Sequence, residues 1–274
     1  MTDMISEEII IEIDKNKVFT LWVEGLLDEF TKIAIKSWLR LGYKVDLFMY
    51  DEPNALDIAE FPEVNFLDAG DFVAKPPLEN YAEIADYFRF NYLFCDGGTW
   101  LDSDLILIKR LPEDQIIISS EHARFGSFQP IGRDFSCNIG VLRFPPYSLI
   151  LLETVTKVNT AINRGLKQNS NRNNLMKIFQ KIIHKDHLEL VSNPNDYCPI
   201  NWSYAKELYT KPDIVNVGKY GIDQKNMDWI MTNSFGVHLW RNLAISKGWH
   251  ANQKENSVFN ILKKYILFEN NYIE

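Results

Sequence analysis

The sequence predicts an α/β protein with a parallel central sheet and a less regular C-terminal part. Three observations predict it: a strand–helix–strand run near the N-terminus, a second helical period closed by Gly97-Gly98 and followed by aliphatics, and a chain rich in Pro, Asn, Tyr and Trp beyond Asn193. Val18–Val23 (VFTLWV) is an apolar run of strand length. From Asp28 to Leu41, the residues Phe30, Ile33, Ala34, Trp38 and Leu41 recur at helical spacing, and Gly42 is a natural stop. Val45–Tyr50 (VDLFMY) reads as a second strand. Strand, helix and strand in this order form a βαβ unit, which joins parallel strands.

Pro76-Pro77 breaks the chain. Tyr81–Cys95 then sets Ile84, Phe88, Tyr92 and Cys95 along one helical face. Strands are expected at Trp100–Ile108, Ile116–Ser119 and Ile139–Phe144, and helices at Leu149–Ile162 and near Val258–Tyr265. Asn163–Asn174 (NRGLKQNSNRNN) reads as a polar loop or helix entry. There is no repeat and no clear linker, so residues 1–274 are read as a single domain.

Composition bounds the function. Hydrophobic residues make up 46% and aromatics 13%, enough for a sizeable core and against disorder. The net charge of −8 argues against binding nucleic acid, whose phosphates select basic surfaces. Cys95, Cys137 and Cys198 are odd in number and far apart, which fits a reducing cytoplasm better than a disulfide framework. The acidic N-terminal stretch lacks a signal-peptide layout, and no apolar run nears the ~20 residues of a membrane helix. Peripheral membrane contact stays open.

The stretch FCDGGTWLDSDLILIKRL, Phe94–Leu111, places two carboxylates at the lip of an aliphatic run. In a strand, Asp102 and Asp104 would point to the same side. Crowded carboxylates repel, and a hard divalent cation such as Mn²⁺ or Mg²⁺ removes that problem while leaving coordination sites for substrate phosphates. The glycine pair would let a ligand approach the backbone. A solvated turn with two unrelated acids is the plainer reading of the spacing alone. A phosphotransferase pair fits less well, because there the apolar strand precedes the carboxylates.

IADYFRFNYLFCDGGTWLDSDLILIKRL resembles the core of the DXD-type sugar-transferring glycosyltransferases. These include bacterial capsule and lipopolysaccharide enzymes, α-1,4-galactosyltransferase-like enzymes and, more distantly, clostridial glucosylating toxins. The family pattern is roughly S-D-x-x-R-Y-x-x-L-x-x-x-G-G-x-Y-x-D-x-D. Asp86, Arg89, Leu93, Gly97, Gly98, Asp102 and Asp104 stand in register with it, whereas Ala85, Phe90 and Trp100 depart from it. The first βαβ unit and the segment VHLWRN, with Gly248 and NSVFNILKKYI beyond it, are similar more weakly.

The resemblance implies a GT-A fold with a mixed, mainly parallel sheet. It implies Asp102, Asp104 and His238 as metal ligands, and Trp22, Asp86, Arg89, Gly98 and Asp102 as donor-binding residues. Trp22 would meet the base, against the ordinary alternative of a buried strand tryptophan. Asp86 and Arg89 share a helical face, and their plainer reading is a surface ion pair. Glu121 and Asn138 are the candidates facing the anomeric carbon or acceptor, although loop polarity explains each singly. Arg124, Arg133, Arg143 and Arg241 are candidate anion contacts, most of them expected to be solvated. Trp240 and Trp249 read as packing, with a lid over the donor as the alternative for one of them, and His122, His184, His187 and His250 have no functional support.

The implied activity is metal-dependent, retaining transfer of a hexose or N-acetylhexosamine from a UDP-sugar to an oligosaccharide or lipid-linked glycan of a bacterial surface. Residues of about 15–110 would carry the donor half and about 111–274 the acceptor half. A toxin-like protein glycosyltransferase and a non-catalytic sugar- or metal-binding module are the alternatives.

Overall fold

The structure is a computed structural model that describes residues 12–23, 25–122, 135–164, 174–212, 214–218, 221–225 and 227–268. Strands β1 (Lys17–Trp22), β2 (Lys44–Met49), β3 (Val64–Asp68), β4 (Gly98–Leu101), β6 (Ile117–His122) and β7 (Phe135–Phe144) make a six-stranded sheet in the order β3-β2-β1-β4-β7-β6. The β3–β2, β2–β1 and β1–β4 pairs are parallel, while β7 runs antiparallel to both β4 and β6. The expected mixed, mainly parallel α/β architecture is what the chain adopts.

Helices α1 (Glu29–Arg40), α2 (Ala55–Glu60), α3 (Tyr81–Asp96), α4 (Leu149–Asn163) and α5 (Asn174–Asp186) belong to this layered part. In β1, Phe19 and Leu21 join the cluster with α3, α4 and α5, whereas Val18 and Trp22 join the cluster with α1. Burial on both faces is why β1 reads as a continuous apolar run rather than an alternating one. The Asp28 side chain caps α1 by accepting from the Thr31 N–H, and Asn80 does the same for α3 through Ala82.

The expected strand Trp100–Ile108 is two strands in different sheets. After β4 the Asp102 N–H still reaches Gly140 O at 2.8 Å, and the Leu105 N–H then turns back to Asp102 O at 2.9 Å. Strand β5 (Leu105–Leu107) therefore leaves the large sheet and pairs antiparallel with β10 (Gly236–His238). Two contacts from α1 hold it there: Trp38 Nε1 donates to Leu105 O at 2.8 Å and the Leu107 N–H to Ser37 Oγ at 2.9 Å.

The C-terminal part is richer in elements than expected. It contains α6 (Pro194–Tyr197), α7 (Ala205–Thr210), the hairpin β8 (Ile214–Gly218) with β9 (Gly221–Lys225), α8 (Met227–Asn233), α9 (Arg241–Ser246) and α10 (Val258–Phe268). Phe30 and Ile33 of α1 and Ile106 of β5 share a core with α7 and α10. The carboxylate turn thus lies where the large sheet meets the C-terminal elements.

Candidate metal and donor site

Asp102 and Asp104 occupy the turn between β4 and β5, so the same-side strand geometry expected from their spacing does not apply. The turn itself brings them together, along with His238 at the end of β10, whose Cα partner in the ladder is Leu105. His238 Nε2 lies 3.6 Å from Asp102 Oδ2 and 3.1 Å from Asp104 Oδ1. One ligand atom from each of the three residues falls within 4.8 Å of the others. Two carboxylate oxygens and one imidazole nitrogen suit Mn²⁺ or Mg²⁺ in the oxygen-rich class of sites. The donor set fits the implied ion.

The surroundings fix the polarity of this group. Arg89 Nη1 donates to Asp102 Oδ1 at 2.7 Å, and Trp100 Nε1 donates to the same oxygen at 2.9 Å. Burial alone would raise the Asp102 pKa, but the Arg89 and His238 cations and the Trp100 N–H outweigh it and bring it down to about 2. Burial would likewise lower His238, yet Asp104 and Asp102 push it up to about 10. The His238 ring thus lies between the two carboxylates. Asp104 Oδ2 accepts the Arg241 N–H at 2.8 Å, which leaves Oδ1 facing His238.

Asp86 and Arg89, spaced as expected on α3, are not a surface pair. Both are buried, with Arg89 Nη2 3.0 Å from Asp86 Oδ1. Arg89 Nη1 also reaches Ile139 O at 2.7 Å, and the guanidinium lies 4.3 Å from the Trp100 ring centroid. Burial raises Asp86 to about 7 against the pull of Arg89, so this carboxyl titrates near neutrality. Trp100, which stands where the DXD-type pattern has tyrosine, donates to Asp102 directly. Phe90, another departure, is buried 5.2 Å from Phe179 of α5.

Glu121 at the end of β6 and Asn138 in β7 meet each other: Asn138 Nδ2 donates to Glu121 Oε2 at 3.0 Å. Burial raises Glu121, partly offset by the Asn138 hydrogen bond and by the His238 charge. Trp22 is 4% exposed, donates through Nε1 to Gly25 O at 3.1 Å and has the Arg241 guanidinium 4.9 Å from its ring centroid. In this conformation its ring is packed and capped rather than open for stacking.

The glycine pair has a packing reason. A Cβ on Gly97, where φ is 67°, would lie 2.6 Å from Pro146 Cδ, and one on Gly98 3.3 Å from Phe19 Cε1. Arg143 is not solvated: its Nε donates to Thr99 Oγ1 at 2.8 Å and its Nη1 to Pro112 O at 2.6 Å. Arg241 pairs with Asp28. Arg124, Arg133 and most of Asn163–Asn174 lie outside the described residues. Among the four unsupported histidines, His122 meets Asn195 Oδ1 at 3.0 Å and His184 Nε2 accepts the Cys137 N–H at 3.2 Å.

Sequence reasoning missed the backbone of β7 and the Arg241 amide. A carbonyl or an N–H carries no side-chain signature.

Fold and site together define an α/β protein with a strand-end centre of two aspartates and a histidine suited to one divalent ion. Residues 28–123 match the family described as glycosyltransferase sugar-binding region containing DXD motif. That match takes in α1, the Asp86–Arg89 pair and the carboxylate turn, and covers about a third of the 274 residues. Among solved structures it is similar to the PaToxG glycosyltransferase, at 15% identity over 64% of this chain and 70% of that one, with a TM-score of 0.45. It is also similar to the apo-form glycosyltransferase GlyE of Streptococcus pneumoniae, at 18% identity over 65% of this chain and 45% of that one, with a TM-score of 0.40. No curated protein matches the chain.

Proposed function

We propose that this chain transfers a hexose or N-acetylhexosamine from a UDP-sugar to a bacterial surface glycan, with retention of configuration. The observation that carries the reading is the convergence of Asp102, Asp104 and His238 beside the buried Asp86–Arg89 pair. Asp102, Asp104 and His238 hold Mn²⁺ or Mg²⁺, which when bound supplies Lewis-acid neutralisation of charge on the departing diphosphate.

The chain's own residues do the rest. Asp86 and Arg89 bind sugar hydroxyls, and Arg89 keeps Asp102 ionised. The buried Trp100 indole fixes the Asp102 carboxylate in one orientation. Glu121, oriented by Asn138, faces the reacting carbon or the incoming hydroxyl. The acceptor is an oligosaccharide or lipid-linked glycan met at the inner face of the cytoplasmic membrane. Among the described residues, no helix is long and apolar enough to cross a membrane. One domain carries both halves, the donor side before about residue 110 and the acceptor side after it.

A panel of UDP-sugars incubated with Mn²⁺ and the full chain tests the reading. Release of UDP from one or two of them, dependent on Mn²⁺, is the expected result. Tight Mn²⁺–UDP binding with no release from any sugar would point instead to a binding module.

A further inference from the structure

The ladder between β6 and β7 breaks at one place. Ile118 faces Leu142 and Ser120 faces Cys137. Between these pairs β6 has a single residue, Ser119, while β7 has Asn138, Ile139, Gly140 and Val141. Such a bulge deprives several backbone groups of their partners, and bulges re-aim side chains next to active sites.

The Ser119 hydroxyl fills the break. It accepts the Val141 N–H at 3.0 Å and lies 3.2 Å from Asn138 O and 3.4 Å from Asn138 Oδ1. Ser119 is 0% exposed. The bulged residues are those that build the site. Ile139 O accepts from Arg89 Nη1, Gly140 O accepts the Asp102 N–H, and Asn138 Nδ2 donates to Glu121 Oε2. Asn138 Oδ1 is itself fixed by the Gly140 N–H at 2.6 Å. At Gly140 a Cβ would lie 2.9 Å from Asn138 Oδ1 and 3.3 Å from Asp102 Oδ2, so the bulge fits closely under the carboxylate.

We propose that Ser119 is a positioning residue: its hydroxyl holds the β7 bulge that sets Arg89, Asp102 and Glu121 in register with one another. The proposal rests on the reading of those three residues as parts of the transferase site. Ser119 touches none of the reacting groups. It acts through Asn138 and Val141.

The test compares Ser119→Ala and Ser119→Thr with wild type in the full chain. It reads amide hydrogen exchange over residues 135–144 together with kcat and KM for Mn²⁺-dependent UDP release from UDP-glucose and UDP-galactose. Ser119→Ala is expected to speed exchange at Val141 by at least about tenfold. It is also expected to lower kcat by at least about tenfold, with KM changed by less than about threefold. Ser119→Thr, which keeps the hydroxyl, restores both. Thr154→Ala removes a buried hydroxyl on α4 that donates to Ile150 O, and it controls for stability alone. Wild-type kcat and exchange in Ser119→Ala would overturn the proposal, as would an equal kcat loss in Thr154→Ala at matched Tm. If Ser119→Ala does not fold, Ser119→Cys carries the same comparison with a weaker acceptor. If wild type releases no UDP from either sugar, the donor reading fails while the exchange measurement still decides the role of Ser119.

Discussion

At the scale of single residues, the proposed metal site sets a proton and a cation in competition for His238. The imidazole sits 3.1 Å from Asp104 Oδ1, and the two aspartates push its pKa up to about 10 from an ordinary 6.5. In the metal-free chain the bound proton therefore stabilises the fold fully below pH 6.5, and this is lost as pH rises towards 10. A cation must displace that proton, so its apparent Kd falls as pH rises, by up to about tenfold per unit. Mn²⁺ titrations at pH 6, 7 and 8 check this. His238→Ala should bind Mn²⁺ more weakly and with a flatter pH dependence, whereas an unchanged titration would remove His238 from the ligand set. Asp86 and Arg89 were legible in the sequence through their spacing and motif. Their burial was not, because it depends on β7 and on Trp100 covering that face of α3.

At the scale of elements, Gly97 closes α3 and opens β4. Its φ of 67° and the close approach of Pro146 make it a position where only glycine fits without strain. Gly97→Ala should lower stability by about 1–3 kcal/mol, read by urea unfolding, with an unchanged m-value. The chain signals its regular elements unevenly. β1, α1, β2, α3 and α4 stand within a residue or two of their expected bounds, because apolar spacing and caps coincide there. α5 was not foreseen, although Leu175, Phe179, Ile182 and Ile183 line its buried face, because an Asn-rich stretch obscured its start. β3 is short and mixed in polarity. The expected strand Trp100–Ile108 splits because the turn hydrogen bonds of Asp102 and Leu105 outweigh the pull of a continuous apolar run.

At the scale of the molecule, the centre joins two parts of the chain distant in sequence. The turn after β4 supplies two of the proposed ligands and β10 the third, and the Leu239 N–H donates to Asp104 O at 2.9 Å to hold the parts together. Joint binding of Mn²⁺ and a UDP-sugar should therefore stabilise the whole fold, giving a larger Tm rise together than the sum of the two alone. Additive or absent shifts would separate the ion from the nucleotide. The fold class and carboxylate pair were readable in advance because they reside in contiguous stretches. The β5–β10 pairing that delivers His238 joins residues nearly half the chain length apart, and no local pattern encodes it.

The most direct measurement is Mn²⁺-dependent UDP release by Asp104→Asn against wild type, with folding of both verified by circular dichroism. Loss of release by at least about a hundredfold in a folded variant is the predicted result. Release at a near-native rate in ordinary Mn²⁺ would show that Asp104 holds no ion that matters to the leaving group.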